Sequence, residues 1–219
     1  MTEVVVAGPE GPLQALHELP VGGRPRFAAV ACHPHPLYGG TLHNTLVFRA
    51  ARALRTAGGA TLRFNFRGVE GSAGRHDGRA GPGGEEDDAA ACLEWLARAH
   101  PGAPLWGAGF SFGARTIAGL AAREPRLARL FLIAPPVTLY PDDAAEGARV
   151  PTLAVWGSED TFGNLTSFER RFPELAPTLT AREIRGADHF FRGHTPEVEA
   201  AVLDFALRGL EGRTTEPAP

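Results

Sequence analysis

Gly109-Phe110-Ser111-Phe112-Gly113 restricts what this chain can become more than any other stretch of its 219 residues. The residues before the serine, Ala103 to Phe110, are short, apolar and opened by Pro104, as a buried strand would be. Those after it, Ala114 to Glu124, are rich in alanine, leucine and arginine, as a helix would be. A Gly-x-Ser-x-Gly pattern on a strand-to-helix turn forces its serine into a tight conformation with the hydroxyl exposed above the sheet. The flanking glycines let strand and helix approach without side-chain clashes. The helix start also directs unpaired N–H groups at whatever binds beside Ser111. A dinucleotide loop built on Gly107, Gly109 and Gly113 fits less well, because the third glycine comes one residue late and no acidic residue ends a next strand at the required distance.

The chain around this turn alternates strand-like and helix-like segments. Glu3 to Ala7 and Leu13 to Leu19, separated by Gly8-Pro9-Glu10-Gly11-Pro12, predict an opening hairpin. Phe27 to Cys32 is continuously apolar, which fits an inner strand covered on both faces. A helix from Asn44 to Ala57 and a strand from Thr61 to Phe66 follow. Gly68 to Gly84 reads as a long loop, ended by Glu85-Glu86-Asp87-Asp88 at the start of a helix that runs to His100. The acidic run is expected to complement the helix dipole rather than to bind a metal. Strands at Leu130 to Ala134, Thr152 to Trp156 and Leu179 to Ile184, a helical stretch at Leu165 to Phe172 and a helix from Thr195-Pro196-Glu197 to Leu207 complete the pattern. This predicts an α/β fold with a mostly parallel central sheet and helices on both faces. Residues 1–212 are expected to form one domain, with Arg213 to Pro219 as a disordered tail. Only about sixteen residues separate Ala134 from Thr152, too few for a lid domain.

Composition removes several classes of function. The 22 basic residues are all arginines, so a phosphate-binding lysine loop, a pyridoxal Schiff base and a Ser-Lys dyad are excluded. A net charge of -3 argues against a nucleic-acid partner. Neither a signal-like N-terminus nor a bilayer-length apolar run is present, so a cytoplasmic protein without a membrane partner is expected. Cys32 and Cys92 lack metal-like spacing and are expected to be buried thiols.

A serine nucleophile requires a base and an acid that orients the base, both on loops at the carboxyl ends of strands. Downstream of Ser111 the histidines are His189 and His194. His194 adjoins the Thr195-Pro196 helix start, whereas His189 lies in the loop after the last strand, so His189 is the expected base. Among Asp142, Asp143, Glu159, Asp160 and Asp188, Asp160 follows the Thr152 to Trp156 strand by a short loop and is the expected acid. Backbone donors for a developing oxyanion are expected from Phe112 and from the loop after Cys32. There Pro34 and Pro36 have no N–H, which leaves His35, Leu37 and Tyr38, with His35 favoured. A metal held by His33 and His35 would lack a third ligand, so neither metal nor other cofactor is expected. Tyr38, Phe112, Phe162 and Phe190 are expected to line the site, with Tyr38, Phe162 and Phe190 contacting substrate. Arg67 is expected to tie loops together through backbone carbonyls rather than to hold an acidic substrate.

These residues resemble the α/β-hydrolase superfamily, and within it the compact bacterial serine hydrolases related to dienelactone hydrolase that share a His-Pro-His-Pro turn. The resemblance rests on His33-Pro34-His35-Pro36-Leu37-Tyr38-Gly39-Gly40-Thr41, Leu62 to Gly68, Gly109 to Ala114, Gly157-Ser158-Glu159-Asp160 and Gly186 to Phe191. Glu70 departs from it, standing where the pattern usually has glycine, and Arg75 to Gly84 is longer than usual. The resemblance implies an α/β-hydrolase fold and a carboxylesterase-like serine hydrolase acting on small or medium acyl esters. An amidase, peptidase or thioesterase on the same residues, or a non-catalytic binding protein of this fold, remains the alternative.

Overall fold

Eight strands form one sheet in the order β1-β2-β4-β3-β5-β6-β7-β8 in a computed structural model that describes residues 1–76, 84–140, 149–173 and 176–211. β1 (Thr2–Gly8) and β2 (Gly11–Glu18) make the expected hairpin, and β2 also runs antiparallel to β4 (Gly59–Phe64). From β4 onward every pairing is parallel, through β3 (Phe27–Cys32), β5 (Leu105–Phe110), β6 (Leu127–Ile133), β7 (Thr152–Gly157) and β8 (Leu179–Ile184). β3, β4, β5 and β7 are buried along their whole length, as strands covered on both faces are, with Arg63 of β4 buried against Glu18 and the Leu42 carbonyl.

Alternation along each strand divides the apolar side chains between two layers. Ala29, Ala31, Trp106, Ala108, Phe131 and Val155 face one layer, filled by Leu46, Val47 and Ala50 of α1 (Thr45–Thr56) and Val198, Val202 and Ala206 of α5 (Thr195–Glu211). Ala28, Val30, Leu62, Leu130, Leu132 and Ala154 face the other, which holds Ala89, Cys92, Leu93 and Leu96 of α2 (Glu85–Ala99), Ala114, Ile117 and Ala118 of α3 (Phe112–Ala121) and Phe168 of α4 (Leu165–Arg171). Helices therefore cover both faces, and among the described residues no helix is inserted between β6 and β7. Nor is any described helix long and apolar enough to cross a membrane.

Local chemistry sets several boundaries. Asn44 caps α1 by accepting from the N–H groups of Leu46 and Val47, and Gly58 ends it at φ 99°, where a side chain would be strained. Several expected boundaries shift. β4 ends at Phe64 rather than Phe66, because Asn65 turns its side chain into the loop, where its Oδ1 accepts from Leu42 N–H at 2.7 Å. α3 begins at Phe112 rather than Ala114, directly after the serine. α5 begins at Thr195 as expected, its first turn closed by Val198 N–H onto the His194 carbonyl, and runs to Glu211 rather than Leu207. The expected tail Arg213 to Pro219 and the last residue of the expected domain lie outside the described residues, as do 77–83 of the long loop and 141–148 of the connection after β6, with Asp142 and Asp143.

Candidate active site

Ser111 sits between β5 and α3 at φ 53°, ψ -118°, a conformation that a non-glycine residue adopts only under constraint. The constraint is visible on both sides of it. A Cβ on Gly109 would stand 2.2 Å from the Gly113 carbonyl oxygen, and a Cβ on Gly113 would stand 2.3 Å from that of Cys32. Neither position accepts a side chain, so strand, turn and helix close on one another and lift the serine above the sheet. Its own N–H is held by the Ile133 carbonyl at 2.9 Å.

Two further loops meet it. Asp160, three residues beyond β7, has a fully buried side chain whose Oδ1 accepts from Phe162 N–H at 2.8 Å. His189, in the loop after β8, lies with Nδ1 at 2.9 Å from Asp160 Oδ2 and Nε2 at 2.9 Å from Ser111 Oγ. An ionised carboxylate only accepts, so Nδ1 carries the ring proton and Nε2 is left to accept from the serine hydroxyl. The ring is walled edge-on by Phe162 at 4.7 Å and Phe190 at 5.3 Å between centroids. The neighbouring acids are elsewhere. Glu159 is exposed, and Asp188 turns back on its own loop, its Oδ1 accepting from the N–H groups of Phe190 and Arg192 while its Oδ2 pairs with the Arg192 guanidinium. His194 lies beside Glu197.

On the other side of Ser111, the turn after β3 is fixed by His33. It is fully buried, its Nδ1–H donating to the Pro34 carbonyl at 2.6 Å and its Nε2 accepting from Phe66 N–H at 3.0 Å. Burial pushes its pKa down to about 4, against an opposing pull from the Pro34 carbonyl, so the ring is neutral and has no nitrogen to offer a metal. His35 follows, its Nδ1 accepting from Leu37 N–H as it caps a short 3₁₀ turn at Pro36–Tyr38. Its ring lies 5.1 Å from that of Phe112. The N–H groups of His35 and Phe112 have no protein acceptor among the described residues. Tyr38 is 87% exposed and packs against the His35 ring, whereas the Phe112 ring is 1% exposed and rests on Phe66. The expectation that the Phe112 side chain lines the site is therefore corrected: the ring anchors the start of α3, and only its backbone faces the surroundings of Ser111.

The loop after β4 holds what sequence reasoning caught only in part. Arg67 is buried, with Nε and Nη2 on the Asp88 carboxylate, Nη1 on Glu10 at 2.7 Å and Nη2 on the Gly84 carbonyl at 2.8 Å. It ties the loop to the hairpin and to α2 as expected, but mainly through carboxylates rather than backbone carbonyls. The acidic run does more than complement a helix dipole. No side chain caps α2, and Asp88 holds Arg67, Glu86 and Asp87 hold Arg123, and Glu85 meets His76. Glu70, at the position expected to favour glycine, does adopt φ 46°, with its carboxylate on Asn65 Nδ2 at 2.7 Å. Cys32 and Cys92 are both buried, and burial pushes both thiols up, away from thiolate chemistry. Among the described residues no three His, Cys, Asp or Glu side chains gather in a group that could hold a metal ion.

An open, mostly parallel sheet with a strained serine on the β5–α3 turn, and with a histidine and an acid on loops after later strands, is the architecture of an α/β hydrolase. No family model matches the chain. A lidless α/β serine hydrolase from Xanthomonas campestris superposes with a TM-score of 0.84 at 32% identity, covering 99% of this chain and 96% of the other. An α/β serine hydrolase homologue from Coxiella burnetii gives a TM-score of 0.83 at 33% identity over 93% and 96% of the two chains. An uncharacterised protein of Rickettsia prowazekii (strain Madrid E) is 33% identical over 216 residues, 94% of this chain and 89% of its own. The chain belongs to the α/β serine hydrolases without a lid.

Proposed function

We propose that this hydrolase cleaves small or medium acyl esters through an acyl-enzyme formed on Ser111. The reading is carried by the Ser111–His189–Asp160 chain of contacts, at 2.9 Å and 2.9 Å. His189 Nε2 takes the hydroxyl proton as Ser111 Oγ bonds to the acyl carbon, and Asp160 stabilises the imidazolium that results. That proton then passes to the departing alkoxide, the acyl–oxygen bond breaks, and water repeats the sequence against the acyl-enzyme. The oxyanion is met by the N–H groups of Phe112 and His35, a role supported by their lack of acceptors among the described residues and by the closeness of the two residues. The chemistry needs no metal and no other cofactor. Tyr38, Phe162 and Phe190 contact the substrate in this reading, which the exposure of Tyr38 and Phe190 supports. Residues 1–212 act as one catalytic domain in the cytoplasm, without nucleic acid or membrane partners. Kinship with dienelactone hydrolases is supported by the His33-Pro34-His35-Pro36 turn.

The experiment is active-site labelling with a fluorophosphonate, followed by a turnover screen over matched short- and medium-chain esters, thioesters and anilides. Labelling at Ser111 with ester turnover well above anilide turnover is the expected result. A chain that takes no label is a binding protein on this fold, and equal turnover of ester and anilide would make it an amidase.

A further inference from the structure

Glu85 opens α2 with a side chain that is 1% exposed. Its Oε1 lies 2.5 Å from His76 Nδ1, and its Oε2 is buried with no hydrogen-bond partner among the described residues. Placing a carboxylate there is unfavourable unless a donor or a charge compensates it, and among the described residues its hydrogen-bonded partner is the imidazole. Since the carboxylate accepts, Nδ1 of His76 carries a proton and the ring plane is fixed. The arrangement repeats the one that Asp160 makes with His189, but on the side of the serine turn away from His189.

The ring so fixed is wedged among the residues assigned to the oxyanion. The His76 side chain, 6% exposed, meets the His35 ring edge-on with centroids 4.9 Å apart and lies 5.7 Å from the Phe112 ring. With His35 and Phe112 themselves 5.1 Å apart, the three rings close a triangle, and two of its corners carry the N–H groups in question. The His35 ring also meets Tyr38, with centroids 4.9 Å apart, but Tyr38 is 87% exposed and braces it poorly. We propose that His76, oriented by Glu85, is a positioning residue that holds the His35 turn so that its N–H meets the developing oxyanion. This rests on the assignment of Ser111 as nucleophile. Hydrogen-bond donors to an oxyanion act only when placed to within a fraction of an ångström, so removing the brace acts on the transition state more than on the bound substrate.

The test compares His76→Ala, Glu85→Ala and the double variant of His76→Phe with Glu85→Leu in the full chain, with kcat expressed per serine titrated by fluorophosphonate. His76→Ala and Glu85→Ala are expected to lower kcat on the order of 10- to 100-fold, with KM within about twofold, as for loss of an interaction made only in the transition state. Binding of a boronic acid that mimics the tetrahedral intermediate weakens by the same factor. The double variant, which keeps a ring in the wedge and leaves no unpaired buried carboxylate, recovers most of kcat, and Glu85→Ala carries the test if His76→Ala does not fold. A merely structural pair would lower the melting temperature and leave kcat per titrated serine unchanged, which overturns the proposal. Failure of the folded double variant to recover kcat also overturns it. A wild-type chain that takes no label refutes the nucleophile assignment, whereas a labelled wild type with unaffected variants refutes the positioning role alone.

Discussion

Gly157 lies so close to Ala187 that a Cβ on the glycine would sit 2.1 Å from the alanine carbonyl oxygen. The contact joins the end of β7, which carries Asp160, to the loop after β8, which carries His189, and Glu159 N–H bonds the same carbonyl at 3.0 Å. Acid and base thus share one rigid corner. Gly157→Ala is expected to force the two loops apart, destabilise the protein by about 1–3 kcal/mol, and lower kcat because Asp160 and His189 separate. Denaturant unfolding and steady-state kinetics check both effects, and a variant with native stability and turnover would show that the corner yields freely.

Replacement of Ser111 by alanine removes the nucleophile while leaving the turn's glycines and the Ile133 contact in place. Ester turnover should fall by several orders of magnitude, with a melting curve near that of the native protein. Near-normal hydrolysis by Ser111→Ala would place the chemistry on another residue.

Asp160→Asn is predicted to cost about ten-thousandfold in kcat, and the geometry gives the reason. Oδ1 is committed to Phe162 N–H, so the asparagine must keep its carbonyl there and present its NH₂ to His189 Nδ1. Nδ1 must then accept, the ring proton moves to Nε2, and Nε2 can no longer take a proton from Ser111. Glu159→Gln and Asp188→Asn touch neither partner and should leave kcat within a few-fold. Equal losses in all three variants would mean that charge near the site, rather than the tautomer, is what matters.

Arg67 and Asp88 are 1% and 0% exposed, and the arginine's hydrogen bonds to Asp88 hold its pKa above the ordinary value. Asp88→Ala removes the buried carboxylate on Nε and Nη2 while Glu10 stays on Nη1, and should cost about 3–5 kcal/mol of stability. The double replacement Arg67→Met with Asp88→Leu should recover much of that, because it removes both charges and fills the space. Denaturant unfolding of the two variants decides the matter. A loss below about 1 kcal/mol for Asp88→Ala would show that Glu10 and the Gly84 carbonyl suffice.

The order Ser111, Asp160, His189 was legible because each residue follows a strand, and strands announce themselves as apolar runs whose ends point to one edge of the sheet. The β4 boundary was not, since Phe66 continues the apolar run of Leu62 and Phe64. Its ring is buried not within the sheet but below the turn, against His33 and Phe112. The acidic run gave a helix start correctly and its chemistry incompletely. Nothing in Glu85-Glu86-Asp87-Asp88 says that the first meets His76 and the last meets Arg67, because those pairings depend on where a loop without periodicity returns to the sheet. The inward turn of Phe112 was hidden for a related reason. A side chain directly after the serine could face the site or the helix layer, and only the packing of Phe66 and Ala114 decides.

The last prediction concerns acid stability and follows from His33. Its neutral ring is doubly committed, donating from Nδ1 and accepting at Nε2 from Phe66 N–H. Protonation would turn Nε2 into a donor facing another donor and leave a charge in a site with no exposure. Its pKa is accordingly held down to about 4, chiefly by burial, with His76 and His35 adding repulsion. The folded value lies below the unfolded one of about 6.5, so between these limits the unfolded chain binds the extra proton and stability rises with pH. The contribution of His33 is fully present above about pH 6.5 and is lost as pH falls toward about 4, amounting to roughly 3 kcal/mol over the whole window. His17, His35 and His100 are also shifted down by burial and act in the same sense, so the slope of the native protein alone does not isolate His33. His33→Gln does, since its amide can accept from Phe66 and donate to Pro34 without titrating. Denaturant unfolding between pH 4 and pH 7 should show a shallower pH dependence for His33→Gln by close to one bound proton. Identical slopes in the two proteins would mean that His33 is protonated in the folded state and that the Phe66 contact is not what holds the turn.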